Sequence, residues 1–267
     1  MRGWVFLDRQ AEAGQGSIEL FEAQAVVGQG FSGGFEGGEA DLGGLEAGAA
    51  VEVALVHEVV LEGGELVAMA TEGDACEVIL TTTPFYHPIL PLLCDTQIAA
   101  MSHPGVALPP RFSHPEDARE QLSRARAYMA DRLGGKAPVG LWPSEGSVSD
   151  AAFTLAADEG FTWAATDNGV LARTLGRAVG PETGYRPYLW KQGSRELRVL
   201  FRDHELSDLI GFTYQRTGAR DGAQHFLRRI RENAGDREAL VPVILDGENC
   251  WEYYHESGRE FLRHLYQ

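Results

Sequence analysis

Two kinds of text make up this chain of 267 residues. From Glu77 onward, short apolar runs of strand length alternate with stretches whose apolar residues recur every three or four positions. That is the pattern of successive β-α units around a parallel sheet. The runs predict strands near Val78–Thr82, Pro138–Trp142, Thr162–Thr166, Glu196–Phe201 and Leu240–Leu245. Between the first two, Ala118, Leu122, Ala125, Met129 and Leu133 mark the inward face of a helix, with Arg119, Glu120, Arg126 and Arg132 on its solvent side. Ser113, Pro115 and Glu116 read as its capping box, and Gly134-Gly135 as its stop. Further helices are predicted from Val148 to Glu159, opened by Ser147 and Asp150, from Asp221 to Asn233, and from Arg259 to Tyr266.

Before Glu77 neither period holds, because glycines from Gly28 to Gly48 interrupt it. Two exceptions are Ile18 to Val27, which reads as a short helix, and Val51 to Val60 with Leu66 to Ala70, which read as strands paired across Gly63-Gly64. Composition sharpens the division. Residues 1–75 are about one-fifth glycine and hold 14 acidic against 2 basic residues, so −12 of the formal −16 lies there. We therefore expect an atypical Gly-rich acidic segment over residues 1–75, weakly ordered or foreign to the remainder of the chain. One α/β catalytic domain is expected over residues 76–267.

The net charge disfavours nucleic acid and anionic membrane as partners and leaves a neutral substrate comfortable. No run of eighteen apolar residues and no signal-peptide pattern is present, so a soluble cytoplasmic protein is expected. Cys76, Cys94 and Cys250 form no Cys-x-x-Cys pair, and the eight histidines fall at no zinc-binding spacing. Neither metal nor cofactor is expected. The glycines from Gly28 to Gly38 follow no strand and do not read as a phosphate cradle.

Candidate chemistry gathers where predicted strands end, which in a parallel β/α barrel is the face that carries the active site. The strand ends run into TTTPFYHPILPLLCDT (Thr81 to Thr96), GLWPSEGSVSD (Gly140 to Asp150), FRDHELSDLIGF (Phe201 to Phe212) and ILDGENCWEYY (Ile244 to Tyr254). These segments resemble the motifs of glycoside hydrolase family 57, over about residues 77–267. The resemblance implies an incomplete (β/α)7 TIM-like barrel, here truncated. It also implies a retaining hydrolase or transglycosylase acting on α-1,4/α-1,6-linked glucans, with Glu145 as nucleophile and Asp246 as general acid/base.

Paired carboxylates suit that chemistry, since one must protonate the leaving oxygen while the other meets the charge that develops at the anomeric carbon. Tyr86, Trp142 and Trp251 offer flat apolar faces to a sugar ring, and His87, His204 and Glu248 offer hydrogen bonds to its hydroxyls. Blander readings stand beside these. Glu145 also suits any helix N-terminus, Asp246 any Asp-Gly turn, the aromatics a core, and the histidines satisfaction by backbone groups. Arg202, Asp203 and Asp208 read either as orienting groups or as a surface ion-pair network. No counterpart of the family's first His-bearing strand is found in residues 1–75. Two further functions therefore remain open: a catalytically impaired fragment or carbohydrate-binding module of that fold, and a metal-dependent polysaccharide deacetylase. An open barrel side would also invite oligomerisation.

Overall fold

In the computed structural model, the described residues are 81–132, 135–245 and 250–267, together with the backbone of three short strands nearer the N-terminus. Those are β1 (Val5–Phe6), β2 (Ser17–Glu19) and β3 (Val51–His57). Next come β4 (Thr81–Thr82), α1 (Leu90–Cys94), α2 (Ala99–Ser102), α3 (Pro115–Arg132), β5 (Gly140–Leu141), β6 (Val148–Ser149) and α4 (Asp150–Asp158). The order continues with β7 (Trp163–Asp167), α5 (Asn168–Leu175), α6 (Pro181–Gly184), β8 (Tyr188–Gln192), β9 (Arg195–Arg202) and α7 (His204–Asp208). It closes with α8 (Ala219–Ala234), β10 (Ala239–Leu245) and α9 (Arg259–Tyr266).

The result is a mixed α/β fold built on a parallel sheet with helices packed against it. Strands β4, β5, β7 and β9 lie side by side and parallel, and β8 and β2 extend the sheet beyond β9 in antiparallel fashion. Strand β8 covers only the first part of β9, pairing from Gln192↔Arg195 to Tyr188↔Val199. Beyond it β10 takes over: Asp203 N donates to Pro242 O at 2.8 Å, and Leu240 N donates to Tyr185 O at 3.1 Å, just ahead of β8. Strand β3 pairs parallel with β10 along its whole length, from Val51↔Ala239 to His57↔Leu245.

Side-chain alternation explains these strands. In β9, Leu197, Val199 and Phe201 are buried, while Arg195 and Arg198 face water. In β8, Tyr188 and Trp190 face the same core. The hairpin between them turns at Gly193-Ser194, where Gly193 has φ +62°, a value that glycine adopts without the steric penalty of a Cβ. In α3, Ala118, Leu122, Ala125 and Met129 are buried, as the helical period requires. Close approach matters at Gly140, where a Cβ would stand 2.3 Å from the Trp163 ring.

Among the described residues two apolar clusters result. One joins α1, α3, α4 and α5 to the sheet through Leu90, Leu122, Phe153, Leu171, Trp190 and Phe201. The other gathers Leu206, Tyr214, Phe226, Ile230, Val243 and Phe261 around β10, α8 and α9.

Several expectations need correcting. Ile18 belongs to a strand bonded to Trp190 in β8, not to a helix. Val51–His57 is a strand and pairs with β10; its expected partner, Leu66–Ala70, lies outside the described residues. Ser113 does not cap α3: its hydroxyl donates to Cys94 O at 2.7 Å, and Glu116 is engaged by His114 instead. Helix α4 is capped by Ser149, whose hydroxyl accepts from Ala152 N, while Ser147 donates to Ser144 O. Arg126 is half-buried, donating to the carbonyls of Pro138 and Glu159 across the Phe161 ring. For Ser113 and Arg126 the local pattern was legible, and a carbonyl distant in sequence claimed the polar group.

Candidate active site

The C-terminal ends of β4, β5, β7, β9 and β10 form a contiguous row, and the polar side chains follow it. After β4 the chain reaches His87, held by its amide donating to Pro84 O at 2.8 Å and by the Thr83 hydroxyl, 3.0 Å from Nδ1. The other ring nitrogen is Nε2. That nitrogen is 3.5 Å from Glu145 Oε1. Both side chains stay about two-fifths exposed, at 39% and 41%.

Glu145 itself lies in the tight turn after β5. Its φ is 57° and its ψ 21°, and His87 opposite has φ 56°. A non-glycine residue in this left-handed region costs on the order of 1–3 kcal/mol, and such strain concentrates at functional sites. A bonded frame holds the turn: Ser147 Oγ donates to Ser144 O at 2.6 Å, and Thr166 Oγ1 at the end of β7 donates to Gly146 O at 2.5 Å. Trp142 is half-buried and closes the turn's inner side, its ring 3.1 Å from where a Cβ on Gly146 would be. Tyr86, next to His87, is 69% exposed.

Further along the row stands an ionic cluster. Arg202, only 16% exposed, donates from Nη2 to Asp208 at 2.7 Å, from Nη1 to Asp167 at 3.4 Å and from Nε to Ile244 O at 3.0 Å. His204 bridges the same two carboxylates, Nδ1 lying 3.3 Å from Asp167 and Nε2 lying 3.0 Å from Asp208. Asp203 is buried and serves structure: one oxygen accepts from Leu206 N at 2.8 Å, capping α7, and the other from Tyr185 Oη at 2.6 Å. Burial, and then that carboxylate, push the Tyr185 hydroxyl far above the usual tyrosine range, so it remains a donor. Asn233 Nδ2 donates to the same hydroxyl at 3.0 Å.

The structure thus brings Glu145 and His87 together with Trp142 against the same turn, gathers His204 with Arg202 and Asp208, and packs Tyr86 on Phe85 beside α3. Asp246 and Glu248 lie outside the described residues. Trp251 packs against Tyr254 and Phe261, ring centroids 5.2 and 6.2 Å away, at the edge of the second apolar cluster. Thr83 and Asp167 escaped the sequence reading. Asp167 directly follows the strand predicted at Thr162–Thr166, so the strand-end rule applied there would have found it. Among the described residues no three His, Cys, Asp or Glu side chains converge as a metal cage, and no helix is long and apolar enough to cross a membrane.

Comparison with known proteins gives three kinds of result. The profile described as glycosyl hydrolase family 57 matches residues 65–267. Curated protein sequences return no match. Among solved structures, the 4-α-glucanotransferase of Thermococcus litoralis is similar with a TM-score of 0.50 and 18% identity, over 69% of this chain and 25% of that one. The α-amylase AmyC of Thermotoga maritima aligns with a TM-score of 0.48 and 16% identity, over 70% and 44%. A putative polysaccharide deacetylase from Mycobacterium smegmatis aligns with a TM-score of 0.37 and 17% identity, over 55% and 49%. The chain therefore spans between a quarter and a half of the length of these structures.

Proposed function

Because the chain belongs to glycosyl hydrolase family 57, we propose that it forms the catalytic part of a retaining glycoside hydrolase or transglycosylase that acts on α-1,4- or α-1,6-linked glucans. The observation that carries this reading is Glu145. Its carboxylate is presented from a strained turn at a strand end, half-exposed, with the imidazole of His87 3.5 Å away. A buried structural glutamate would not be held in this way.

In the proposed double displacement, Glu145 attacks the anomeric carbon while Asp246 protonates the departing glycosidic oxygen. A glycosyl-enzyme ester forms and the C–O bond of the leaving sugar breaks. Asp246, now a carboxylate, removes a proton from water or from an acceptor hydroxyl. The resulting oxygen nucleophile attacks the same carbon, which frees Glu145 and retains the configuration. Direct attack requires the two carboxyls about 5–5.5 Å apart. Asp246 follows Leu245, the last residue of β10, and the carbonyl of Ile244 just before it is fixed by Arg202 at 3.0 Å. His87, Tyr86, Trp142, His204, Glu248 and Trp251 are proposed to line the sugar site. The reading invokes no cofactor, assigns the hydrolase unit to residues 76–267, and places the protein in the cytoplasm with an α-glucan, rather than nucleic acid or membrane, as its partner.

The test is release of chromophore from a chromogenic maltooligosaccharide, with the first-formed anomer followed by NMR. Glu145→Gln is expected to lower turnover by on the order of 1,000-fold or more, and the first product is expected to be the α-anomer. Glucan binding without turnover in the unaltered chain, or full activity in Glu145→Gln, would reject the catalytic assignment.

A further inference from the structure

The loop that carries His87 also begins a second surface. Phe85 and Tyr86 pack edge to face with ring centroids 4.8 Å apart, and Phe85 meets Tyr128 of α3 in the same manner at 5.6 Å. The three rings form one run, and it faces water: Tyr86 is 69% and Tyr128 39% exposed. Two guanidinium groups lie over its rings, one face of each being covered. Arg124 lies 5.6 Å from the Phe85 centroid and 6.0 Å from that of Tyr86, and Arg132 lies 5.2 Å from that of Tyr128.

The run is anchored rather than loose. The amides of Phe85 and Tyr86 donate to the backbone and side-chain oxygens of Gln121, at 3.3 and 2.8 Å. Gln121, Arg124, Tyr128 and Arg132 recur at helical spacing and occupy one face of α3. Seven residues separate Gln121 from Tyr128, which at a rise of ~1.5 Å per residue is about 10 Å along the helix. That distance is on the order of two pyranose rings.

The chemistry of this surface narrows its partner. Arg124 is paired with Glu120 at 2.6 Å, and Asp131 stands 3.9 Å from Arg132, so the charges balance. A nucleic acid or a strongly charged peptide finds no field to follow. Flat apolar rings bordered by N–H and O–H donors suit a neutral ligand with apolar C–H faces and a rim of hydroxyls, which is a sugar chain. Continuity adds the direction, because the run begins at the residue next to His87, and His87 faces Glu145. A linear glucan leaving the catalytic turn meets Tyr86 first.

We propose that Phe85, Tyr86 and Tyr128 form a binding platform along α3 for the distal sugar units of an α-glucan whose reacting end lies at Glu145. The platform rests on the glucan reading above and extends it from the site of chemistry to recognition of chain length. It favours long substrates over short ones.

The experiment is calorimetric titration of the full chain carrying Glu145→Gln, which prevents turnover, with maltotriose and with maltoheptaose. Maltoheptaose is expected to bind more tightly. Adding Tyr128→Ala is expected to reduce the ratio of the two affinities about five- to tenfold. Tyr128→Phe, which keeps the ring, is expected to hold that ratio within about twofold, so a general loss of structure is separated from loss of the ring. A ratio unmoved by Tyr128→Ala, no preference for the longer sugar, or no binding of either would overturn the platform. The catalytic reading fails by a different observation, persistent turnover in Glu145→Gln, and length-dependent binding sensitive to Tyr128 would survive that failure.

Discussion

Glu145 illustrates how a single residue trades stability against function. Its backbone occupies the left-handed region, where a Cβ crowds the following carbonyl and only glycine is comfortable. Its contact with His87 is half-exposed and therefore worth little against that strain. Replacing it by glycine relieves the crowding and sacrifices the carboxylate. Glu145→Gly is expected to be about 1 kcal/mol more stable than the parent by urea unfolding, while turnover is lost. A destabilised variant would show that the surrounding frame, not the residue, determines the turn. The neighbouring Gly146 also has a positive φ, 63°, so two consecutive residues shape this elbow, of which the sequence Pro-Ser-Glu-Gly advertised only one.

At the scale of elements, the question is what holds the strand ends in register. Arg202 reaches from the end of β9 to Asp167 on β7, Asp208 on α7 and the Ile244 carbonyl on β10. Removing it leaves the Ile244 carbonyl without its donor and the two carboxylates with His204 as their remaining partner. Arg202→Met is therefore expected to cost about 2–3 kcal/mol, read as a lowered midpoint of denaturant unfolding. An effect below about 0.5 kcal/mol, the size of an ordinary surface change, would mark the cluster as a solvated ion-pair network. Much at this scale was legible. The buried face of α3, the strands β7, β9 and β10, and helix α9 all follow from apolar spacing, because burial of one face is what organises them. Strand β8 was not anticipated, although Tyr188 and Trp190 alternate before Gly193-Ser194 and the signal was present. Caps fared worse, since Ser113 and Ser149 lie in similar contexts and only the second turns its hydroxyl to a helix amide.

At the scale of the molecule, the described residues are organised by two apolar clusters that meet near β9 and β10. Among the described residues, polar ties from β9 cross to the second cluster through Asp203 N to Pro242 O and through the bonds of Arg202 to Ile244 O and Asp208. Such a seam allows one side to open before the other. Phe261 is central to the second cluster, with ring centroids of Tyr214, Tyr254 and Trp251 at 5.7, 5.6 and 6.2 Å. Phe261→Ala is expected to cost about 3–5 kcal/mol. Hydrogen exchange should then accelerate across α8, β10 and α9 while the amides of β7 and β9 keep their protection. Uniform acceleration over the chain would show that the two clusters unfold as one.

What the sequence determined by itself was the set of α and β periods, the apolar faces, and the acidic and aromatic residues that cluster after strands. Those depend on neighbours a few positions away, and local sterics and burial suffice to read them. The tertiary structure alone decided that Val51–His57 pairs with β10, that β8 folds back on β9, and that His87 faces Glu145. It also decided that Asp203 serves a buried tyrosine while Arg202 joins three strand ends. Such pairings join residues far apart along the chain, and one acidic or basic side chain can satisfy many partners equally well. Only packing, by bringing particular strand ends together and excluding water from between them, selects which partner it takes.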